Sequence, residues 1–282
     1  MKEFFYLDNG TIRAKILFPV NKKYEGKRFC HSGFITDIWY KNVKFSEYER
    51  SQGDPTTEGS GMCAAYEPLE MEKPADGQRY LMPGVGVLTA GDTGREFERL
   101  PTEFSYDDLH AVFTTQSPDV DGYSYFETRK IMLEDDEIKE TVTLRNTGSK
   151  RFACSEYNHN FLSLGGLDIG TDYEMRVYCI QKPESFSFKE MVMENGIFTY
   201  DDYPTRSCFF KTFDTKPVRE DGMAWEMRSK STGISCYEKV DFVPDRLQVW
   251  NDYYVMCCEV FAPVDLAPGE EVTWTRRWGF SV

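Results

Sequence analysis

Three histidines stand in the chain, at positions 31, 110 and 159, and imidazole is the side chain that titrates unaided near neutral pH. His159 lies in Glu156-Tyr157-Asn158-His159-Asn160-Phe161-Leu162-Ser163-Leu164-Gly165-Gly166. Extended backbone puts Tyr157, His159 and Phe161 on one face and Asn158 and Asn160 on the other. Polar residues on both faces fit a strand lining a cleft, where an imidazole flanked by two rings can pass a proton; a hydrogen-bonded core histidine is the plainer alternative. Glu259 is the single charge in Tyr254-Val255-Met256-Cys257-Cys258-Glu259-Val260-Phe261-Ala262-Pro263. On a strand it shares a face with Val255, Cys257 and Phe261. It is therefore either paired, as in a buried salt bridge, or desolvated with its pKa raised toward the range of a general base.

Further candidates are less specific. His31 lies in Arg28-Phe29-Cys30-His31-Ser32-Gly33-Phe34, where a cation, an imidazole and a glycine turn mark a site edge or a core histidine. His110, in Leu109-His110-Ala111-Val112-Phe113, reads as structural. Trp250, Trp39 and Tyr66 offer ring faces for a sugar, and Asp252 can hold hydroxyl groups or cap a turn. Lys22, Lys23, Lys27 and Arg28 face only Glu25 in their segment, a basic island suited to phosphate or to solvent. There is no H-E-x-x-H, G-x-S-x-G, P-loop or Rossmann fingerprint.

These side chains need a scaffold, and the sequence describes one. The 282 residues are 40% hydrophobic and 15% aromatic, enough for a sizeable core. Period-two alternation bounded by Gly, Pro, Asn and Asp predicts strands at 11–17, 123–133, 138–145, 155–164, 173–180, 234–240, 248–250, 255–261 and 272–280. Helical periods are short and few. Many short strands without a composition break predict one domain, 1–282, of two packed antiparallel sheets. Residues 51–78, crowded with Gly, Pro, Thr and Glu, read as a long loop or excursion. A net charge of −14 argues against nucleic acid and anionic membrane surfaces as partners. No stretch reaches the ~18 apolar residues of a membrane span. The start, with an apolar run that ends at Asp8, is too short for a secretory core, and the eight cysteines lack any C-x-x-C pair. The expectation is a cytoplasmic protein with reduced thiols and no metal.

Tyr157-Asn158-His159-Asn160-Phe161-Leu162-Ser163-Leu164-Gly165-Gly166 resembles the Asn-His-x-x-Phe-x-Leu-Gly stretch of aldose 1-epimerases (galactose mutarotases). Glu259, followed by Phe261-Ala262-Pro263, Leu266-Ala267-Pro268-Gly269-Glu270 and Trp274, is similar to that family's C-terminal ending. The 24–35 segment resembles the Arg-Phe-Asp-His-Ser-Gly-like segment of mutarotase-like proteins, with Cys30 where Asp is usual. The resemblance implies an all-β, galactose mutarotase-like β-supersandwich with few short helices. It also implies anomer interconversion of a hexose or its derivative without a cofactor, with Glu259 as general base and His159 as general acid. Arg28, His31, Asn158, Glu67, Trp250 and Asp252 would contact a free sugar or sugar phosphate, in a monomer or homodimer. Two alternatives stay open: a carbohydrate-binding protein without turnover, which Cys30 favours, and a lyase or glycoside-processing enzyme on a modified sugar.

Overall fold

The computed structural model describes every residue except 1, 51, 52, 55, 70, 95, 183 and 184. Among the described residues the regular structure is strand, and no helix occurs, so the few short helices expected from the sequence are replaced by turns. Each predicted strand is present, several of them longer than expected: 155–164 lies within Phe152–Phe161 and its continuation, 248–250 within Arg246–Asp252, and 255–261 within Val255–Leu266.

One sheet runs in the order Phe4–Asp8, Ile12–Leu17, Ile35–Tyr40, Gly61–Pro68, Phe152–Phe161, Val255–Leu266, Arg246–Asp252, Cys208–Thr212, with Val43–Lys44 added beside Ile35–Tyr40. A second, eleven-stranded sheet packs on it and is centred on Ser235–Val240, Glu271–Ser281, Glu137–Asn146 and Tyr125–Glu134. Alternate side chains of both sheets interdigitate: Ile12, Ile38, Val249 and Val260 meet Phe113, Ile131, Trp225 and Trp278 in one buried cluster. Full burial of such side chains stabilises by ~1.5–3 kcal/mol each. A three-stranded sheet, Arg79–Met82, Gly86–Thr89 and Glu98–Arg99, buttresses the segment before Cys30 through bonds from Arg99 to the carbonyls of Asn21 and Tyr24.

The expectation of a loop over 51–78 is overturned in its middle. Gly61–Pro68 is a central strand beside Phe152–Phe161. Its residues Gly61 to Tyr66 are buried on both faces, so Met62-Cys63-Ala64-Ala65-Tyr66 carries no polar alternation to announce a strand. Gly61 is required at its start: with φ +59, a Cβ there would meet the Ile35 carbonyl oxygen at 2.2 Å.

Candidate active site

The outer face of the nine-stranded sheet carries the site, and period two decides which residues reach it. His159 faces the same way as Tyr157 and Phe161, while Glu156, Asn158 and Asn160 point between the sheets. Cys63 pairs with His159 on one side, and Gln248 pairs with Glu259 on the other. The two central strands share a register that runs from Phe152↔Leu266 to Glu156↔Ala262 and resumes at Leu162↔Met256. That register sets His159 opposite Glu259. Their side chains meet, His159 Nε2 to Glu259 Oε1 at 3.0 Å.

Both groups are nearly enclosed, each 3% exposed. His159 stacks on Phe161 (centroids 4.1 Å apart, 11° between planes) and takes the edges of Phe29 and Trp250, each at 5.9 Å. Its Nδ1 has no partner among the described residues, so the bond from Nε2 to Glu259 is what orients the ring. Gln248 donates its amide to the other Glu259 oxygen at 2.7 Å. Burial pushes the Glu259 carboxyl upward, but the charge and hydrogen bond of His159, the Gln248 amide and the nearby Arg28 outweigh it, and the pKa lies below the ordinary value. Of the two alternatives read from the sequence, the paired carboxylate is correct and the raised pKa is not.

Arg28 sits above this floor. Its Nη1 bonds Glu49 at 2.6 Å, its guanidinium covers the Phe29 ring at 4.6 Å, and Glu49 also accepts from the Gly59 amide at 3.1 Å. On the next row, Tyr157 stacks on Phe261 at 4.4 Å, and Arg246 lies over the other side of Phe261 at 3.7 Å. Arg246 clasps Glu67 with its two terminal guanidinium nitrogens, Nη1 at 3.0 Å. Glu67 and Trp250 are thus at the site, with Glu67 held at its rim.

Three candidates fall elsewhere. Asn158 is buried on the inter-sheet face, opposite Ala64, because it is one residue out of phase with His159. His31 is separated from His159 by the Tyr24 and Phe29 rings. Its Nε2 contacts the Gly26 carbonyl at 3.1 Å, and burial, reinforced by the Arg99 charge, lowers its pKa to about 4. Asp252 ends its strand at the tight turn before Val255, where it accepts the Tyr253 amide at 2.9 Å. The basic island also disperses: Lys23 pairs with Glu3 at 3.5 Å, Lys27 lies 6.0 Å from the Phe97 ring, and Arg28 alone meets the site. Cys30 packs in the inter-sheet cluster with Tyr66 and Tyr125, so the residue at the position where Asp is usual does not border the His159–Glu259 pair. Gln248, Arg246 and Glu49 were missed. The alternation Arg246-Leu247-Gln248-Val249-Trp250 carried the signal for the first two; the pairing of Glu49 with Arg28 spans a loop and leaves no local pattern.

Beneath the pair, the ladder between the two central strands opens, and side chains from the inter-sheet layer take up the freed carbonyls, as buried backbone groups require. Arg276 donates Nη2 to the Val260 carbonyl (2.9 Å), the Glu156 carbonyl (3.2 Å) and the Glu156 carboxylate (2.7 Å), and Nη1 to Glu238 (2.8 Å). Asn160 donates to the Cys258 carbonyl at 3.0 Å. The Trp225 and Trp274 indoles donate to Glu238 (2.7 Å) and Glu156 (3.0 Å), and Arg129 joins Glu127 (3.4 Å) and Glu140 (2.7 Å). Two arginines against four carboxylates leave an excess of negative charge, and burial accordingly raises Glu140 and pushes Glu238 up to about 7. Folding therefore takes up a proton at Glu238 between its ordinary 4.5 and about 7. Its contribution to stability is full below that window and declines as pH rises through it. Urea denaturation from pH 4.5 to 7.5 is expected to show wild type losing stability relative to Glu238→Gln as pH rises; parallel curves would refute the assignment.

The packed antiparallel sheets have the galactose mutarotase-like fold. Comparison with solved structures gives the same fold over nearly the whole chain. The chain is similar to a galactose mutarotase-like protein from Lactobacillus casei (TM-score 0.62, 13% identity, 99% of this chain and 100% of that one). It is also similar to a galactose mutarotase related enzyme from Lactobacillus acidophilus (0.61, 12%, 99% and 97%), and to an aldose epimerase homologue from C. elegans (0.61, 10%, 99% and 98%). Searches against protein-family models and curated protein sequences return no match. No helix among the described residues is long and apolar enough to cross a membrane.

Proposed function

We propose that residues 1–282 act as one unit that interconverts the α and β anomers of an aldose. The observation that carries this reading is the His159–Glu259 contact of 3.0 Å on an aromatic-lined sheet face. Ring opening moves two protons at one carbon: the C1 hydroxyl loses one and the ring oxygen gains one. The two oxygens share C1, so the groups that serve them must be close neighbours themselves, as these two are. Glu259, ionised because its partners lower its pKa, takes the hydroxyl proton as the C1–O bond to the ring breaks. His159 Nε2 gives a proton to the ring oxygen. Rotation about C1–C2 and the reverse transfers close the other anomer. Gln248 fixes the carboxylate, and Trp250 and Tyr157 offer half-buried ring faces to the sugar.

Arg28 contacts substrate hydroxyls without moving a proton. Arg28→Ala is therefore expected to raise KM with kcat within about threefold of wild type, measured by NMR saturation transfer at rising sugar concentration. An equal loss in kcat would place Arg28 in the chemical step. A binding protein without turnover would instead show sugar-dependent chemical-shift changes and no added anomer exchange. The test of the whole reading is anomer exchange on a panel of aldoses and hexose 6-phosphates with and without the protein.

A further inference from the structure

We infer that the edge strand Thr102–Tyr106 of the eleven-stranded sheet pairs with the same strand of a second copy of the chain, joining the two sheets edge to edge about a two-fold axis at Phe104. The inference is independent of the anomer-exchange reading, since the His159–Glu259 pair lies on the other sheet.

Thr102–Tyr106 ends its sheet, with His110–Gln116 as its neighbour. The Asp107 amide donates to the His110 carbonyl and the Leu133 amide to the Leu109 carbonyl, each at 2.9 Å. These two bonds set the phase of the ladder: Glu103 and Ser105 turn their backbone groups toward Thr114 and Val112, and Thr102, Phe104 and Tyr106 turn theirs outward. Among the described residues nothing bonds the outward N–H and C=O groups. The side chains of the same three residues face the core side. Phe104 lies 5.1 Å from Phe18, and Tyr106 stacks on Phe5 at 4.1 Å, yet the two rings stay 42% and 45% exposed.

An open sheet edge is a template for another strand unless it is short, covered, bulged or marked by Lys or Pro. The other ends of the two large sheets carry such devices. Cys208–Thr212 presents Lys211, Phe186–Phe188 is three residues long, and Phe4–Asp8 is tied to the neighbouring turn by the Asp8 amide on the Asp108 carbonyl at 2.7 Å. Thr102–Tyr106 has none of them: its register runs without a bulge, and its sequence Thr-Glu-Phe-Ser-Tyr holds neither Lys nor Pro.

The strand's own sequence selects a second copy as the occupant, because a two-fold contact uses one patch twice and must be complementary to itself. With Phe104 opposite Phe104, antiparallel pairing sets Thr102 opposite Tyr106 and Glu103 opposite Ser105. Every outward backbone group then finds a partner, and the two Phe104 rings meet across the axis at a Cα spacing of ~5.5 Å. Moving the axis to Glu103 sets Glu103 opposite Glu103, and moving it to Ser105 sets Glu103 opposite Asp107; like charges directly across a strand pair are unfavourable. Two terms oppose association. Five residues a side are fewer than the ~20–30 of a standard interface, and each copy carries a net charge of −14, a repulsion that salt screens. The dimer is therefore weak and tightens with ionic strength.

Sedimentation equilibrium from ~10 µM to ~1 mM chain is expected to show monomer giving way to dimer, more readily at ~0.3 M than at ~0.05 M salt. Hydrogen exchange at the two ends of that range should slow with concentration at the Thr102, Phe104 and Tyr106 amides and stay constant at Glu103 and Ser105, which are bonded within the chain. Ser105 is exposed on the outer face, so its variants keep the fold. Ser105→Glu, facing Glu103 of the other copy, is expected to weaken the dimer about fivefold, and Ser105→Lys to tighten it about fivefold. Thr273→Lys, exposed on the same sheet away from the edge, alters net charge equally and controls for general repulsion. A chain that stays monomeric throughout overturns the inference, as does a dimer without concentration-dependent protection at Phe104 and Tyr106. A Ser105→Lys dimer no tighter than that of Thr273→Lys overturns the register and the inference with it.

Discussion

Glu259→Gln is expected to slow anomer exchange by ~10²–10⁴, the usual contribution of one positioned acid or base, which is a barrier increase of roughly 3–5.5 kcal/mol. The substitution removes a proton acceptor and little else. The glutamine carbonyl can still accept from Gln248 and its amide can still face His159, so the 2.7 and 3.0 Å contacts have replacements and the fold should persist. KM is expected to change little, because the loss falls on the transition state. His159→Asn is expected to give a loss of the same size. The double variant should be scarcely slower than either single one, since the two groups act on geminal oxygens in one step and neither is useful alone. Exchange constants from NMR saturation transfer decide it: both single variants within about threefold of wild type would end the proton-transfer assignment, and fully additive losses would mean that the two groups act in separate events.

How much of this was legible beforehand depends on what each residue's neighbours were. The outer-face strands announced themselves because they alternate: Glu259 stood out as the single charge in an apolar run and His159 as an imidazole between two rings on one face of its strand, and period two put them on the face they occupy. The same rule, applied strictly, would have excluded Asn158, which is one residue out of phase and buried between the sheets. Gly61–Pro68 escaped because a strand covered on both faces has no alternation to read, and the glycine that looks like a loop residue is there to clear the Ile35 carbonyl. His31 looked like a site residue from its polar, glycine-bordered segment, yet Tyr24 and Phe29 fold between it and the pair. That separation is tertiary and leaves no sequence trace. The same holds for the inter-sheet charge network where it joins strands distant in sequence, as with Arg276 and Glu156, 120 residues apart.

Arg276→Met is expected to remove roughly 3–5 kcal/mol of stability, the loss typical of breaking a buried pair from one side. Arg276 is fully buried, and its guanidinium serves Glu156, Glu238 and two backbone carbonyls at once. Methionine fills much of the volume but leaves two carboxylates facing one another without their cation, and the Val260 carbonyl without its donor. Against a typical total of ~5–15 kcal/mol this is a large fraction, visible as a lower urea midpoint with an unchanged slope. The variant that adds Glu156→Gln and Glu238→Gln should recover part of the loss, because the main penalty is uncompensated charge rather than lost attraction. Catalysis discriminates further. Arg276 holds the Glu156 and Val260 carbonyls on the two strands that carry His159 and Glu259, so the folded fraction of Arg276→Met should exchange anomers more slowly at unchanged KM, and the neutralised triple variant should remain slow although it is more stable. A loss below about 1 kcal/mol, or full activity per folded molecule, would show that the two strands keep their spacing without the arginine, and the support of the pair would then have to come from the aromatic stack of Phe161, Phe29 and Trp250 alone.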